Sequence, residues 1–261
     1  MVGSQSTRAI DQKQALINGL NKEVSQVFVP LYDTNPLEHI KFQFMTVLII
    51  IANVAIFVAF QSGILYPINE VAMASFAIVP SELLPEGLMG PNIPGEKFDL
   101  IPISEKFTLI SYMFLHGGWL HLGGNMLFLW VFGDNIEDAM GHFTFLAFYL
   151  LCGIVAGYTH SIMAPNSEIP LIGASGAVAG VIAAYLMLHP KVKLWVLVLG
   201  NIPLPVNAAI AILAWFVFQI FHIVYMDGGN TAWWAHIGGF LAGIVLVIFM
   251  KRRDVPLFER N

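Results

Sequence analysis

An all-α, polytopic membrane protein of six transmembrane helices, with a long outer loop between the first two, is the fold class this sequence predicts. Three observations predict it. Hydrophobic residues make up 57% of the 261 residues and charged ones 11%, with a mean hydropathy of +0.73, whereas about a quarter of a soluble domain is charged. Apolar runs close to the ~20 residues needed to cross hydrocarbon recur between polar turns. Lysine and arginine divide unevenly between alternate connections. The net charge of -5 decides little beside that placement.

Residues 1–40 are polar and mixed in charge, with no early apolar core ahead of a small-residue cleavage site, so no cleavable signal peptide is expected. They read as a loosely structured or helical extension outside the bilayer. The first span is predicted over 42–60, and Asn53 within it needs a helix partner. Between Ser62 and Glu105 lie Pro67, Pro80, Pro85, Pro91, Pro94 and Pro102, with apolar stretches from Val71 to Val79 and Leu83 to Met89. A loop that long and that apolar is expected to be structured, lying at or slightly into the membrane surface. Further spans are predicted at 107–133, 143–163, 171–189, 206–225 and 233–250. The stretch Val192 to Leu204, broken by Gly200, Asn201 and Pro203, is too short to cross and reads as an interfacial connection. The domain plan is thus a 1–40 extension, a 41–250 membrane domain and a basic 251–261 tail.

Six spans put both termini on one side. With the N-terminus inside, inward segments hold Arg8, Lys13, Lys22, Lys41, Lys191, Lys193, Lys251, Arg252, Arg253 and Arg260, while outward segments hold only Lys97 and Lys106. That bias predicts cytoplasmic termini in a cell membrane, plasma or inner, with the long loop and the start of the fourth span facing outward. Trp233 and Trp234 fall where an outer aromatic belt would be.

Polar chemistry inside the spans is sparse. No Asp or Glu lies in any of them, yet the second carries His116, His121 and Asn125 and the sixth carries His236. Intramembrane ionisable groups are expensive and mark function. His121 and Asn125, one turn apart, share a helix face, whereas His116 lies about 140° around from His121 and reads as structural. The fourth span opens with Leu171-Ile172-Gly173-Ala174-Ser175-Gly176 and continues through Gly180. Gly173 and Gly176 permit a tight entry turn around Ser175. Small residues also make a helix-packing face, and from this stretch alone a packing face and an exposed nucleophile are both open. Gly239 and Gly243 on the sixth span repeat the four-residue spacing of Gly176 and Gly180. If those faces pack together, Ser175 and His236 come within hydrogen-bond reach, the arrangement of an activated nucleophile. The single cysteine, Cys152, excludes a disulfide framework or a cysteine zinc site and reads as a packing group.

Three separated motifs carry a resemblance: His116-Gly117-Gly118-Trp119-Leu120-His121-Leu122-Gly123-Gly124-Asn125, Gly173-Ala174-Ser175-Gly176, and Ala235-His236-Ile237-Gly238-Gly239. In that order and on those spans they resemble the rhomboid family of intramembrane serine proteases, over about residues 40 to 250. Phe132-Gly133-Asp134-Asn135-Ile136-Glu137-Asp138 is similar to that family's cytoplasmic turn. The resemblance implies Ser175 as nucleophile and His236 as general base, with oxyanion stabilisation from Asn125, His121 and the Ser175 backbone N–H. It implies a structural role for His116. Without spanning carboxylates the chemistry is that of a dyad. The resemblance also implies substrates that are single-span membrane proteins entering past the fifth span, where Trp215, Phe216, Phe218 and Phe221 are either gate residues or lipid-facing aromatics.

The expected partners are transmembrane protein substrates and the lipid bilayer, with no nucleic acid, small-molecule cofactor or metal. No His-Glu-x-x-His is present for a zinc protease. Two departures from the family pattern stand out. An aromatic side chain that some members carry four residues after the serine is here Ala179, and a Trp-Arg pair that some carry before the His116 position is here Phe107 and Thr108. They bear on the orientation of His236 and the anchoring of the outer loop. The alternative function is a catalytically inactive rhomboid-like protein that binds membrane clients; such relatives usually lack the serine or the histidine, and both are present here. A transporter would show paired repeats and intramembrane charges.

Overall fold

The computed structural model describes residues 28–65, 75–84, 104–198, 202–225 and 232–258. Among these residues, eight α-helices and three strands follow in the order β1 (Phe28–Asp33), α1 (Phe44–Ile56), α2 (Pro80–Leu83), α3 (Glu105–Ser111), α4 (Trp119–Met140), α5 (His142–Met163), α6 (Ser175–Leu188), β2 (Lys193–Val198), β3 (Ile202–Asn207), α7 (Ala208–Tyr225) and α8 (Trp233–Met250). Among the described residues, three helical segments are long and apolar enough to cross a membrane: Phe44–Gln61, in which α1 continues through a wider turn, His142–Met163 and Trp233–Met250. Ser175–Leu188 and Ala208–Phe221 are shorter apolar helices.

Packing centres on α6. Its residues from Gly176 to Tyr185 are buried, surrounded by α4, α5 and α8. Small side chains explain the density. A Cβ on Gly180 would meet Cys152 Sγ at 2.5 Å and lie 3.1 Å from the Gly239 carbonyl, and one on Gly239 would run into the Gly176 carbonyl oxygen. The faces spaced by Gly176/Gly180 and Gly239/Gly243 therefore meet, backbone against backbone. Cys152 is fully buried in that contact.

The expected second span is revised. The predicted 107–133 helix is interrupted, because α3 ends in a tight turn at Tyr112–Phe114 and α4 begins only at Trp119. Gly117 and Gly118 occupy the break, where helix propensity is lowest. The helix also runs past the predicted end to Met140, so Asp134 to Asp138 form its last turns rather than a connecting turn. The true turn is Gly141, at φ +85°, a conformation L side chains rarely adopt.

Those last turns hold a polar lock. Glu137, fully buried, accepts the backbone N–H groups of Met45 (2.8 Å) and Thr46 (2.7 Å), the Thr46 hydroxyl (2.7 Å) and a His142 ring contact. The carboxylate thereby satisfies donors at the N-terminus of α1 that have no intrahelical partner. Asp138 takes the N–H groups of Glu38, His39 and Ile40 at 3.0, 2.7 and 2.6 Å, and the His39 ring bridges Asp138 (3.2 Å) to Asp254 (3.1 Å) in the tail. The Asp138 bond holds the His39 pKa above its ordinary value.

The all-helical expectation is corrected at a three-stranded antiparallel sheet ordered β1-β2-β3. The 192–204 stretch and the end of the N-terminal extension supply it. Leu194 and Val196 are buried on its inner face, and Tyr32 stacks on Trp195 at 5.8 Å. Pro203 and Pro205 lie on the edge strand, where a missing N–H is tolerated. In the outer loop, Ile78 pairs with Leu171 (3.2 and 2.7 Å), and Ser111 donates to the Phe76 carbonyl at 2.7 Å. That pins 75–84 onto the segment entering α6. The rest of the loop's two apolar stretches, 71–74 and 85–89, and the predicted turn from Met226 to Asn230, lie outside the described residues.

Candidate active site

Ser175 is the first residue of α6, delivered by a strained approach. Gly173 has φ +119°, and its N–H donates to the Tyr112 carbonyl at 2.9 Å. A side chain there would also strike the His121 ring, 2.8 Å from Cε1 and Nε2. Glycine is thus required twice over. Gly176 serves a different purpose from the expected turn. It is helical, and a Cβ on it would meet Ala156 Cβ at 2.5 Å, so its smallness admits α5.

His236 enters from the first turn of α8. Its Nε2 lies 2.8 Å from Ser175 Oγ, and its Nδ1 lies 3.0 Å from Gln219 Oε1 on α7. An amide oxygen only accepts, so this contact matches a ring that carries its hydrogen on Nδ1 and presents the Nε2 lone pair to the Ser175 hydroxyl. Ser175 and His236 are both half-buried, so the pair is open on one side while α6 behind it is closed. The ring is framed by Trp215 (centroids 6.1 Å, 35°) and Trp233 (5.9 Å, 89°). Ala179 is fully buried, and the aromatic faces beside His236 come instead from α7 and the start of α8.

On α4, His121 Nδ1 accepts the Gly117 N–H at 3.3 Å, which leaves the hydrogen of a neutral ring on Nε2. That edge faces Gly173: one point, the position of a Cβ on Gly173, is 2.8 Å from His121 Nε2 and 3.9 Å from Ser175 Oγ. Asn125 donates from Nδ2 to the His121 carbonyl one turn earlier at 2.9 Å, and its second amide hydrogen is not used in that bond. His116 is buried with its ring against His121 (5.1 Å), and its N–H donates to Gln61 at 2.9 Å. Neither His116 ring nitrogen has a hydrogen-bond partner among the described residues.

Among the expected gate aromatics, Trp215 and Phe216 face inward, Phe216 stacking on Phe240 at 4.1 Å. Phe218 meets Trp233 edge-on, and Phe221 is exposed. Gln219 is the residue that sequence reasoning missed. The available signal was a lone amide in the apolar run of α7, one turn after Trp215 on the same face, since a polar group in such a run needs a partner. No group of metal-ligating side chains able to hold an ion occurs among the described residues.

Comparison with known proteins bears on this arrangement. A model of the rhomboid domain matches residues 104–253, which include α4 to α8. The chain is 29% identical over 165 residues to RHOMBOID-like protein 5 of Arabidopsis thaliana, covering 61% of this chain and 50% of that protein. It is 31% identical over 148 residues to Rhomboid protein 1, mitochondrial, of Saccharomyces cerevisiae (55% and 41%). It is 27% identical over 185 residues to Rhomboid-type serine protease 2 of Emericella nidulans (67% and 33%). The aligned region spans half or less of each of these relatives.

Proposed function

The chain belongs to the rhomboid family of multi-pass membrane proteins, and from that premise we propose that it is a serine endopeptidase cleaving transmembrane segments within the bilayer. The observation that carries this reading is the 2.8 Å hydrogen bond between Ser175 Oγ and His236 Nε2, joining the starts of two helices. His236 takes the Ser175 proton as Oγ attacks the scissile carbonyl, then returns it to the leaving amine, and water releases the acyl group. The Ser175 backbone N–H, at the helix start and so without an intrahelical acceptor, supplies one donor to the oxyanion on this reading. His121 Nε2–H and the second Asn125 amide hydrogen complete the donor set on this reading.

The proposed membrane arrangement has six spans, with cytoplasmic termini and the dyad opening outward. The ten-to-two bias of Lys and Arg supports it. Substrate enters past α7 and must unwind inside protein, since irregular backbone is not tolerated against lipid. The inward faces of Trp215 and Phe216 support a gate at that helix. The test is cleavage of a single-span substrate by purified protein in proteoliposomes. Ser175→Ala and His236→Ala should each abolish turnover. Undiminished cleavage by the Ser175→Ala protein would overturn the assignment.

A further inference from the structure

We infer that Gln219 is the positioning residue of the dyad, its amide oxygen accepting the Nδ1 hydrogen of His236 and so aiming Nε2 at Ser175. The inference rests on the protease reading above and deepens it. In a Ser-His-Asp triad a carboxylate fixes the tautomer and tilt of the imidazole. No Asp or Glu lies in α5, α6, α7 or α8. Gln219 stands where such a group is needed, with Oε1 3.0 Å from Nδ1 on the far side of the ring from Ser175 Oγ at 2.8 Å.

Three further observations agree. Gln219 is 3% exposed, and the His236 contact accounts for the burial of an amide among apolar neighbours, which is costly without a hydrogen bond. Trp215, one turn earlier on the same face of α7, packs on the same ring, so two side chains of one helix hold His236 from two directions. Ala179, at the position where some rhomboid proteases carry an aromatic, offers the ring no such support. A neutral amide also suits this depth, since a carboxylate would have to be desolvated beside the ring. When His236 gains the Ser175 proton, the Nδ1–H···O bond becomes charge-assisted and strengthens, so it contributes more in the transition state than in the ground state.

The experiment uses the full chain in proteoliposomes with one transmembrane substrate, measuring kcat, KM and thermal unfolding for wild type, Gln219→Met, Gln219→Glu and Ser175→Ala. Methionine matches the length of glutamine without an accepting oxygen; glutamate restores one. Gln219→Met should lower kcat roughly 10- to 100-fold with KM within about twofold. Gln219→Glu should recover most of that loss. A Gln219→Met kcat within twofold of wild type overturns the inference, as does an equal loss in both variants with a lowered unfolding temperature. A second measurement needs no substitution of Gln219 and no substrate: nitrogen NMR of histidine-labelled protein, with His236 assigned from His236→Ala. The Nδ1–H tautomer is expected, and the Nε2–H tautomer overturns the inference. If the wild type does not cleave, or Ser175→Ala does, the protease reading fails while the tautomer result still decides the Gln219 contact.

Discussion

Replacing Gly239 by alanine probes whether the dyad depends on how closely α6 and α8 approach. A Cβ built there falls on the Gly176 carbonyl oxygen, with Ala156 Cβ 3.4 Å away on another side. The obstacle is backbone in the first turn of a buried helix, which does not swing aside like a flexible side chain. The two helices must therefore part by on the order of 1 Å to restore van der Waals separation. Gly176 adjoins Ser175, and Gly239 lies one turn after His236, so the displacement is applied at the dyad itself. Adding ~1 Å to the present 2.8 Å between Nε2 and Oγ takes that contact out of hydrogen-bond range. A misplacement of that size costs about 100-fold in turnover, and overpacking costs about 1–3 kcal/mol of stability. Single-turnover cleavage and thermal unfolding of the same proteoliposome preparation read the two effects separately. Gly239→Ala with wild-type turnover and a wild-type unfolding temperature would refute the claim that the glycine faces set the dyad distance.

Three other substitutions follow from the same structure. Glu137→Gln leaves N–H donors of α1 facing an amide group in a fully buried site, and should cost about 3 kcal/mol in denaturant unfolding with residual activity in the folded fraction. His39, with 24% of its side chain exposed, has a raised pKa because of the Asp138 bond, so its contribution is complete below about pH 6.5 and is lost as pH rises through the higher folded value. The unfolding temperature of wild type should thus fall as pH rises above about 6.5, and His39→Asn should flatten that slope; an unchanged slope counts against the clasp. Gly123→Ala has open space around the new carbon, and should hold or add up to ~1 kcal/mol of stability from helix propensity, read as an unchanged or raised unfolding temperature.

The hydrogen-bonded contact of Ser175 and His236 was legible because its two residues lie on apolar runs of obvious period. Ser175 stood at a helix start among glycines, and the matched spacing of Gly176/Gly180 and Gly239/Gly243 named the two faces that meet. What escaped reading depends on pairings distant in sequence. β1 finds β2 across most of the chain, and Pro203 and Pro205 argue locally against a strand even though an edge position tolerates them. The extension of α4 to Met140 was hidden because Asp134, Glu137 and Asp138 look like a polar turn, when Glu137 and Asp138 are in fact saturated by donors from α1 and the segment before it. Gln219 escaped because an apolar helix with aromatic residues reads first as a lipid-facing wall.

These carboxylates lie at the opposite end of α4 from His121, whose ring stands beside the Gly173 approach to Ser175. From His121 to Glu137 the helix rises ~24 Å, and at an effective dielectric of 20 a unit charge acts across that distance with only about 0.7 kcal/mol. The lock at one end can therefore use full charges to fix α1 and the tail without biasing the proposed proton transfer at the other. At the end that carries His121, orientation falls to neutral groups: the Gly117 N–H on His121, the Gln219 amide and the Trp215 ring on His236. Neutral hydrogen bonds lose strength steeply with distance, so such a site tolerates little movement of the helices that carry them. Two of the groups that hold His236 belong to α7, the proposed path of substrate entry. On that reading the base is fully aimed only when α7 is seated, and a substrate that displaces α7 must let it return before the serine can attack.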